Sequence, residues 1–188
     1  MLNLKIIIGS TRPGRKGAPV GEWFFNIAKQ HTEFDSELLD LAKINLPFLD
    51  EAAHPRFKKY EHQHTKDWSA MIDPADAIVL VTPEYNYALP APLKNALDFL
   101  YLEWNYKPVG FVSYGGIAAG TRSAQMLKLV VNSLNMVALS DNVNIPFIAK
   151  KVDEQGKFIT DDILDKSANN MLKELYKWAV ALKPMRVS

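Results

Sequence analysis

The chain of 188 residues contains no cysteine, which removes disulfides, thiolate zinc sites, cysteine-ligated clusters and a cysteine nucleophile in one step. It also lacks an excess of charge of either sign. With 22 basic and 21 acidic residues the formal net charge is +1, so no global field favours nucleic acid or an anionic membrane. Long hydrophobic runs are missing too. The apolar start Ile6-Ile7-Ile8 is far shorter than a signal-peptide core or a membrane span, and no cleavage-like site follows it. These absences predict a cytoplasmic protein with neither a nucleic-acid nor a membrane partner. The dinucleotide fingerprint G-x-G-x-x-G is absent as well. A G-x-S-x-G elbow is not found, so hydrolase chemistry has no nucleophile.

What is present is an ordinary globular mixture, 48% hydrophobic and 23% charged, long enough to bury a core as one domain over residues 1–188. Short apolar runs alternate with helical patterns. Strands are predicted at Leu4–Gly9, Glu37–Leu41, Ala77–Thr82 and Val109–Tyr114, with a fifth inside Val137–Ile145. Helices are predicted at Val20–His31, Thr65–Ile72, Pro92–Leu102, Thr121–Leu134 and Asp161–Leu182. In the closing helix Ile163, Leu164, Met171, Leu172, Leu175 and Trp178 form the expected buried side. Strand–helix alternation of this kind implies an α/β fold with a parallel sheet covered on both faces. The count fits a doubly wound, flavodoxin-like five-stranded sheet of order 2-1-3-4-5, in which ligands sit beyond the carboxyl ends of the strands near the switch between strands 1 and 3.

The unusual loops fall at those ends. After strand 1 comes Gly9-Ser10-Thr11-Arg12-Pro13-Gly14-Arg15-Lys16-Gly17-Ala18-Pro19. Glycines allow close backbone approach to an anion, and the next helix aims its unpaired N–H groups at the same point. Arg12, Arg15 and Lys16 add charge. A P-loop is excluded, because Arg15 stands where lysine belongs and no Ser or Thr follows the basic pair. The loop reads as a seat for a terminal monophosphate, against the alternative of a solvated basic turn. After strand 3, Thr82-Pro83-Glu84-Tyr85-Asn86-Tyr87-Ala88-Leu89-Pro90-Ala91-Pro92 offers stiffened backbone and two flat aromatic surfaces. Glu84 is read as structural, bonded to backbone or to a neighbouring arginine. After strand 4, Ser113-Tyr114-Gly115-Gly116 places glycines just past the sheet, and Thr121 is a candidate helix cap. His62-x-His64 is read as a solvated polar segment whose rings face different sides of a helix. No metal is expected. Trp104 and Tyr106 stand as either core or subunit-facing.

The run from Pro83 to Asp98 resembles the P-E-Y-N-x-x-x-P-x-x-L-K-N-A-x-D signature of the NADPH-dependent FMN reductase family. Gly9-Ser10-x-Arg12 and Ser113-Tyr114-Gly115-Gly116 match that family's other two ligand loops in the same order. The branch it is most similar to comprises small quinone reductases and azoreductases. This resemblance covers strand 1 to about Asn135. It implies bound FMN, with the phosphate on Ser10, Arg12, Arg15, Gly17 and the start of the next helix at Pro19 and Val20. It implies a flavin ring held by Pro83, Glu84, Tyr85, Asn86 and Tyr87 together with Ser113, Tyr114, Gly115 and Gly116. Many relatives carry Ser or Thr late in the phosphate loop, where this chain has Gly17-Ala18. The implied activity is ping-pong reduction of a small-molecule acceptor, a quinone or azo compound, by NADPH or NADH, in a homodimer or tetramer. The flavin carries the chemistry, so no catalytic side chain is assigned. The alternative is an FMN-binding electron carrier or redox-sensing module without efficient NAD(P)H turnover.

Overall fold

A computed structural model describes residues 1–186. Val187 and Ser188, the end of the expected single domain, lie outside the described residues. The strands are β1 (Leu2–Ile8), β2 (Phe34–Asp40), β3 (Ala77–Pro83), β4 (Pro108–Tyr114), β5 (Val137–Ala138) and β6 (Val143–Ile145). The helices are α1 (Gly17–Ala28), α2 (Leu41–Ile44), α3 (Gln63–Ile72), α4 (Ala91–Asp98), α5 (Thr121–Ser133) and α6 (Asp162–Leu182). All strand pairings are parallel in the order β2-β1-β3-β4-β5, with β6 also pairing β4. This is the expected flavodoxin-like order. Chain direction across the sheet reverses between β1 and β3, so the loops after those strands flank a crevice.

Alternation along the strands builds one core on each face. Ile6, Val79, Val81 and Val112 pack with Phe24, Met171 and Leu175 under α1 and α6. Ile7, Ile78, Leu80 and Phe111 pack with Trp68, Leu97 and Leu127 under α3, α4 and α5. Trp104 and Phe99 are buried in that second core, and the Trp104 indole donates to the Leu97 carbonyl at 3.0 Å. Tyr106 is half-buried beside them.

Several boundaries differ from the sequence expectation. The fifth strand is split: between β5 and β6 the Asn142 side chain takes over as acceptor for the Phe111 N–H at 3.2 Å. The second strand begins earlier, because the whole of β2 from Phe34 to Asp40 registers against β1. It also ends before Leu41, where Asp40 caps the short α2 through Ala42 N–H at 3.0 Å. The first helix starts at Gly17, with Pro19 inside its first turn. The fourth helix stops at Asp98, and Leu102–Trp104 forms a separate 3-10 turn. On α6, Ile163 is 77% exposed and Trp178 is 43% exposed. Neither is on the buried side, which Leu164, Ala168, Met171, Leu172, Leu175 and Ala179 fill instead. Among the described residues no helix is long and apolar enough to cross a membrane.

At the opposite end of the sheet from those loops, Lys107 is buried just before β4, its ammonium donating to the carbonyls of Ile72 at 2.7 Å and Asp73 at 2.9 Å. Burial, with Arg186 adding repulsion, pushes its pKa down to about 7. The unfolded chain keeps this proton to about pH 10.4, so between those values it binds more protons than the folded chain. Stability therefore rises with pH across that window, by at most about 1.4 kcal/mol per pH unit. Urea midpoints measured from pH 7 to pH 9 are expected to increase, and Lys107→Met is expected to flatten the slope. A slope unchanged by that substitution would assign the titration elsewhere.

Candidate functional site

Parallel pairing sets the carboxyl ends of β1, β3 and β4 side by side, one strand spacing apart. The loops singled out in the sequence therefore meet. Gly9 N–H donates to the Val81 carbonyl at 2.9 Å, joining the first loop to β3. Tyr114, at the end of β4, reaches across to the first loop and donates its hydroxyl to Ser10 Oγ at 3.0 Å. Both side chains are buried. Burial pushes the Tyr114 hydroxyl pKa above its ordinary value, so it remains a protonated donor at neutral pH. Ser10 thus keeps its own proton, which has no acceptor among the described residues.

The hydroxyl pair lies directly under the N-terminus of α1. A Cβ added at Gly17 would overlap Ser10 Oγ and come within 2.6 Å of Tyr114 OH. No side chain caps this helix, and its first N–H groups, those of Gly17 and Ala18, have no intrahelical acceptor. Gly17, Pro19 and Val20 form that first turn. A free hydroxyl proton, unpaired N–H groups and the positive end of a helix dipole converge here, which is a donor set for a phosphate.

The arginines of the loop divide their roles. Arg15 is half-buried and spoken for: its guanidinium donates to the Ser10 carbonyl at 2.7 Å and pairs with Asp40 Oδ2 at 2.6 Å. Arg12 is exposed and makes no ion pair among the described residues. Its carbonyl closes the turn onto Arg15 N–H at 3.1 Å across Pro13-Gly14. Asp40 was not singled out in the sequence. An Asp between the strand Leu38-Leu39 and the following Leu41 has the place of a helix cap, which is the signal that identifies it.

The loop after β3 folds into a tight turn. Tyr85 N–H donates to the Ala88 carbonyl at 3.0 Å, and Ala88 N–H returns to Tyr85 at 2.9 Å. Asn86 and Tyr87 at its tip both have left-handed backbone, φ 50° and 69°. Tyr87 is 68% exposed. Pro83 is buried at the end of the strand, while Glu84 bonds Arg122, as its structural reading anticipated.

In the loop after β4, the Ser113 hydroxyl lies between the Ala119 carbonyl and Asn144 Oδ1, each at 2.8 Å. Its side chain therefore shapes the base of the loop, and its backbone is buried in the sheet between β3 and β6. The carbonyls of Gly115 and Gly116 accept from Ile148 and Phe147, at 2.9 and 3.0 Å. The N–H groups of Gly116 and Ile117 have no such partner among the described residues and remain available to a ligand edge. Exposed Ile117 and Phe147 form an apolar rim here.

Thr121 does not cap α5. Gly120 holds the cap position, and the Thr121 hydroxyl donates instead to the Ala118 carbonyl at 2.8 Å. The imidazoles of His62 and His64 also depart from expectation, stacking 5.2 Å apart at the start of α3, with His64 Nε2 2.9 Å from Asp50. Among the described residues no group of three or more His, Asp or Glu side chains is placed to hold a metal.

The sequence pattern of NADPH-dependent FMN reductases matches residues 2–150. An NAD(P)H-dependent FMN reductase of Schizosaccharomyces pombe is 44% identical over 133 residues, spanning 70% of this chain and 66% of that protein. An NADPH azoreductase of a Bacillus species is 31% identical over 147 residues, 77% of this chain and 75% of the other. Among solved structures, the flavoenzyme NAD(P)H:acceptor oxidoreductase FerB from Paracoccus denitrificans superposes with a TM-score of 0.76 at 19% identity, covering 97% of this chain and 99% of that one.

Proposed function

The chain belongs to the NADPH-dependent FMN reductase family, and on that premise we propose that its three loops hold FMN and that the holoprotein reduces quinone-like or azo acceptors with NAD(P)H. When bound, FMN would supply two-electron transfer between NAD(P)H and the acceptor. The observation that carries this reading is the buried Ser10–Tyr114 hydroxyl pair beneath the open N-terminus of α1. Ser10 donates to the phosphate, the N–H groups at Gly17 and Ala18 direct the helix dipole at it, and Arg12 closes over it from solvent. Pro19 and Val20 shape the turn that presents those groups. Arg15 acts one step back, holding the Ser10 carbonyl and Asp40 so that the loop keeps its form.

The ring is assigned to the crevice between the other two loops. Pro83 to Tyr87 furnish one wall, and the N–H groups of Gly116 and Ile117 offer donors to a carbonyl-bearing edge. Exposed Tyr87, Ile117 and Phe147 leave an apolar rim suited to a planar acceptor. We further propose a homodimer in the cytoplasm. Phe48 is 85% exposed on a segment pinned by Asn95, which accepts from Leu49 N–H at 3.0 Å and donates to the Pro47 carbonyl at 2.7 Å. One exposed aromatic is ordinary on a free surface, so the homodimer rests on the family resemblance.

The test is the visible spectrum of the purified protein, recorded without oxygen before and after NADPH, with mass by light scattering at micromolar concentration. Flavin bands that bleach within the mixing time, and a dimeric mass, are the expected result. Persistent bands would transfer the protein to the electron-carrier class. A colourless protein that takes up no added FMN would overturn the assignment of the loops.

A further inference from the structure

The turn at Tyr85–Ala88 is held in a shape that Tyr87 disfavours. Left-handed backbone is disfavoured at most non-glycine residues; asparagine tolerates it, whereas a tyrosine gains nothing from it locally. Asn86 and Tyr87 nevertheless both adopt it. The reciprocal Tyr85–Ala88 hydrogen bonds close the turn, but its place relative to α5 must be fixed from outside it.

That fixing comes from one residue of α5. The Arg122 guanidinium lies 4.0 Å from the centroid of the Tyr87 ring. Its Nη1 pairs with Glu84 Oε1 at 2.6 Å, and its backbone N–H donates to Glu84 Oε2 at 3.1 Å. Glu84 thereby serves α5 as the cap that Gly120, with no side chain, does not provide. Its carboxylate also sits at the positive end of that helix. The anchor itself is firm, because the next residue, Ser123, is buried and bonded to Thr82 Oγ1 at 2.9 Å.

We propose that Arg122 is a positioning residue that latches the loop after β3 to the start of α5, making the two ring-holding loops one rigid wall, an inference that rests on the FMN reading above. Through Glu84 it fixes the backbone at the base of the turn, and through Tyr87 it fixes the tip. Loss of the latch frees the turn to relax toward right-handed backbone, which withdraws Tyr85 to Tyr87 from the ring. The Arg122 side chain is largely exposed, and the mostly buried Glu84 carboxylate keeps the Arg122 backbone N–H as a donor when the guanidinium is lost, so the effect falls more on the ligand than on the fold.

The experiment compares wild type with Arg122→Met, Arg122→Lys and Glu84→Gln, by FMN fluorescence titration of the apoprotein, apoprotein Tm, and NADPH:quinone kinetics. Arg122→Met is expected to weaken FMN binding by about fivefold or more and to lower kcat, with apoprotein Tm within about 3 °C of wild type. Arg122→Lys keeps a charge for Glu84 but not the planar stack, so it is expected to fall between the two. Glu84→Gln added to Arg122→Met is expected to cost less than about twofold more, since both break one latch. Wild-type FMN affinity and turnover in Arg122→Met overturn the proposal, as does a large fall in Tm with FMN affinity unchanged. If Arg122→Met does not fold, Glu84→Gln alone decides, with about threefold weaker FMN expected and unchanged affinity overturning the latch. Wild type that takes up no FMN at all overturns the reading of the site, and the latch with it.

Discussion

Arg12→Ala is expected to weaken FMN binding by about 1.5–3 kcal/mol, roughly 10- to 150-fold in Kd, while leaving the apoprotein's Tm unchanged. The size follows from a charge-assisted bond to a phosphate, and the absence of a stability effect follows from exposure. Arg12 makes no ion pair among the described residues, so the apoprotein loses no contact when it is removed. Arg15 supplies the contrast. Its guanidinium joins the Ser10 carbonyl to the nearly buried Asp40 carboxylate. Arg15→Ala is therefore expected to lower the apoprotein's Tm, because it strands a buried carboxylate and slackens the loop, and to weaken FMN through that slackening. Flavin fluorescence titration beside thermal melts separates the two. If Arg12→Ala binds FMN like wild type while Arg15→Ala does not, the phosphate contact belongs to Arg15, and its pairing with Asp40 must open on binding.

The loops were legible in the sequence because each is a local departure from the strand–helix rhythm: glycine, proline and arginine after Ile8, a tyrosine between prolines after Val81, paired glycines after Tyr114. The strand count suited the flavodoxin-like order that the structure shows, and the meeting of the loops follows from that order. Most of what escaped detection was long-range. Tyr114 and Ser10 are 104 positions apart, and no spacing rule relates them. Asp40 belongs to the first loop through Arg15, across 25 positions. The Ser113 hydroxyl is held by Asn144, 31 positions away in the second half of the split fifth strand. On α6, Ile163 and Trp178 fit the helical period but sit at its margin, where periodicity alone does not separate the buried stripe from its edge. The sequence thus singles out the segments proposed to hold FMN, and tertiary hydrogen bonds decide which of their atoms remain free.

Gly17→Ala carries the second large expectation, and here competing effects set the sign. Replacing glycine by alanine in a helix ordinarily stabilises by up to about 1 kcal/mol, and less at a terminus. At this position the added methyl overlaps Ser10 Oγ and approaches Tyr114 OH to 2.6 Å, and the Ile8 side chain lies 3.2 Å away on the third side. Both hydroxyls belong to buried side chains, so neither can swing into solvent, and overpacking of this kind costs about 1–3 kcal/mol. The collision outweighs the propensity gain, and at roughly 2–4 °C per kcal/mol for a chain of this size the melting temperature should fall by several degrees. FMN affinity should fall further, by more than about tenfold, since the methyl displaces the hydroxyl that donates to the phosphate and fills the space before the first N–H groups of α1. Gly14→Ala is the control. Its added Cβ meets nothing within 4 Å, so it carries only the local cost of a positive φ of 69° and should leave FMN binding close to wild type. Were Gly17→Ala to bind FMN normally with an unchanged Tm, the Ser10–Tyr114 pair would have to be free to give way. The phosphate seat would then lie further along the loop, toward Arg12 and Lys16.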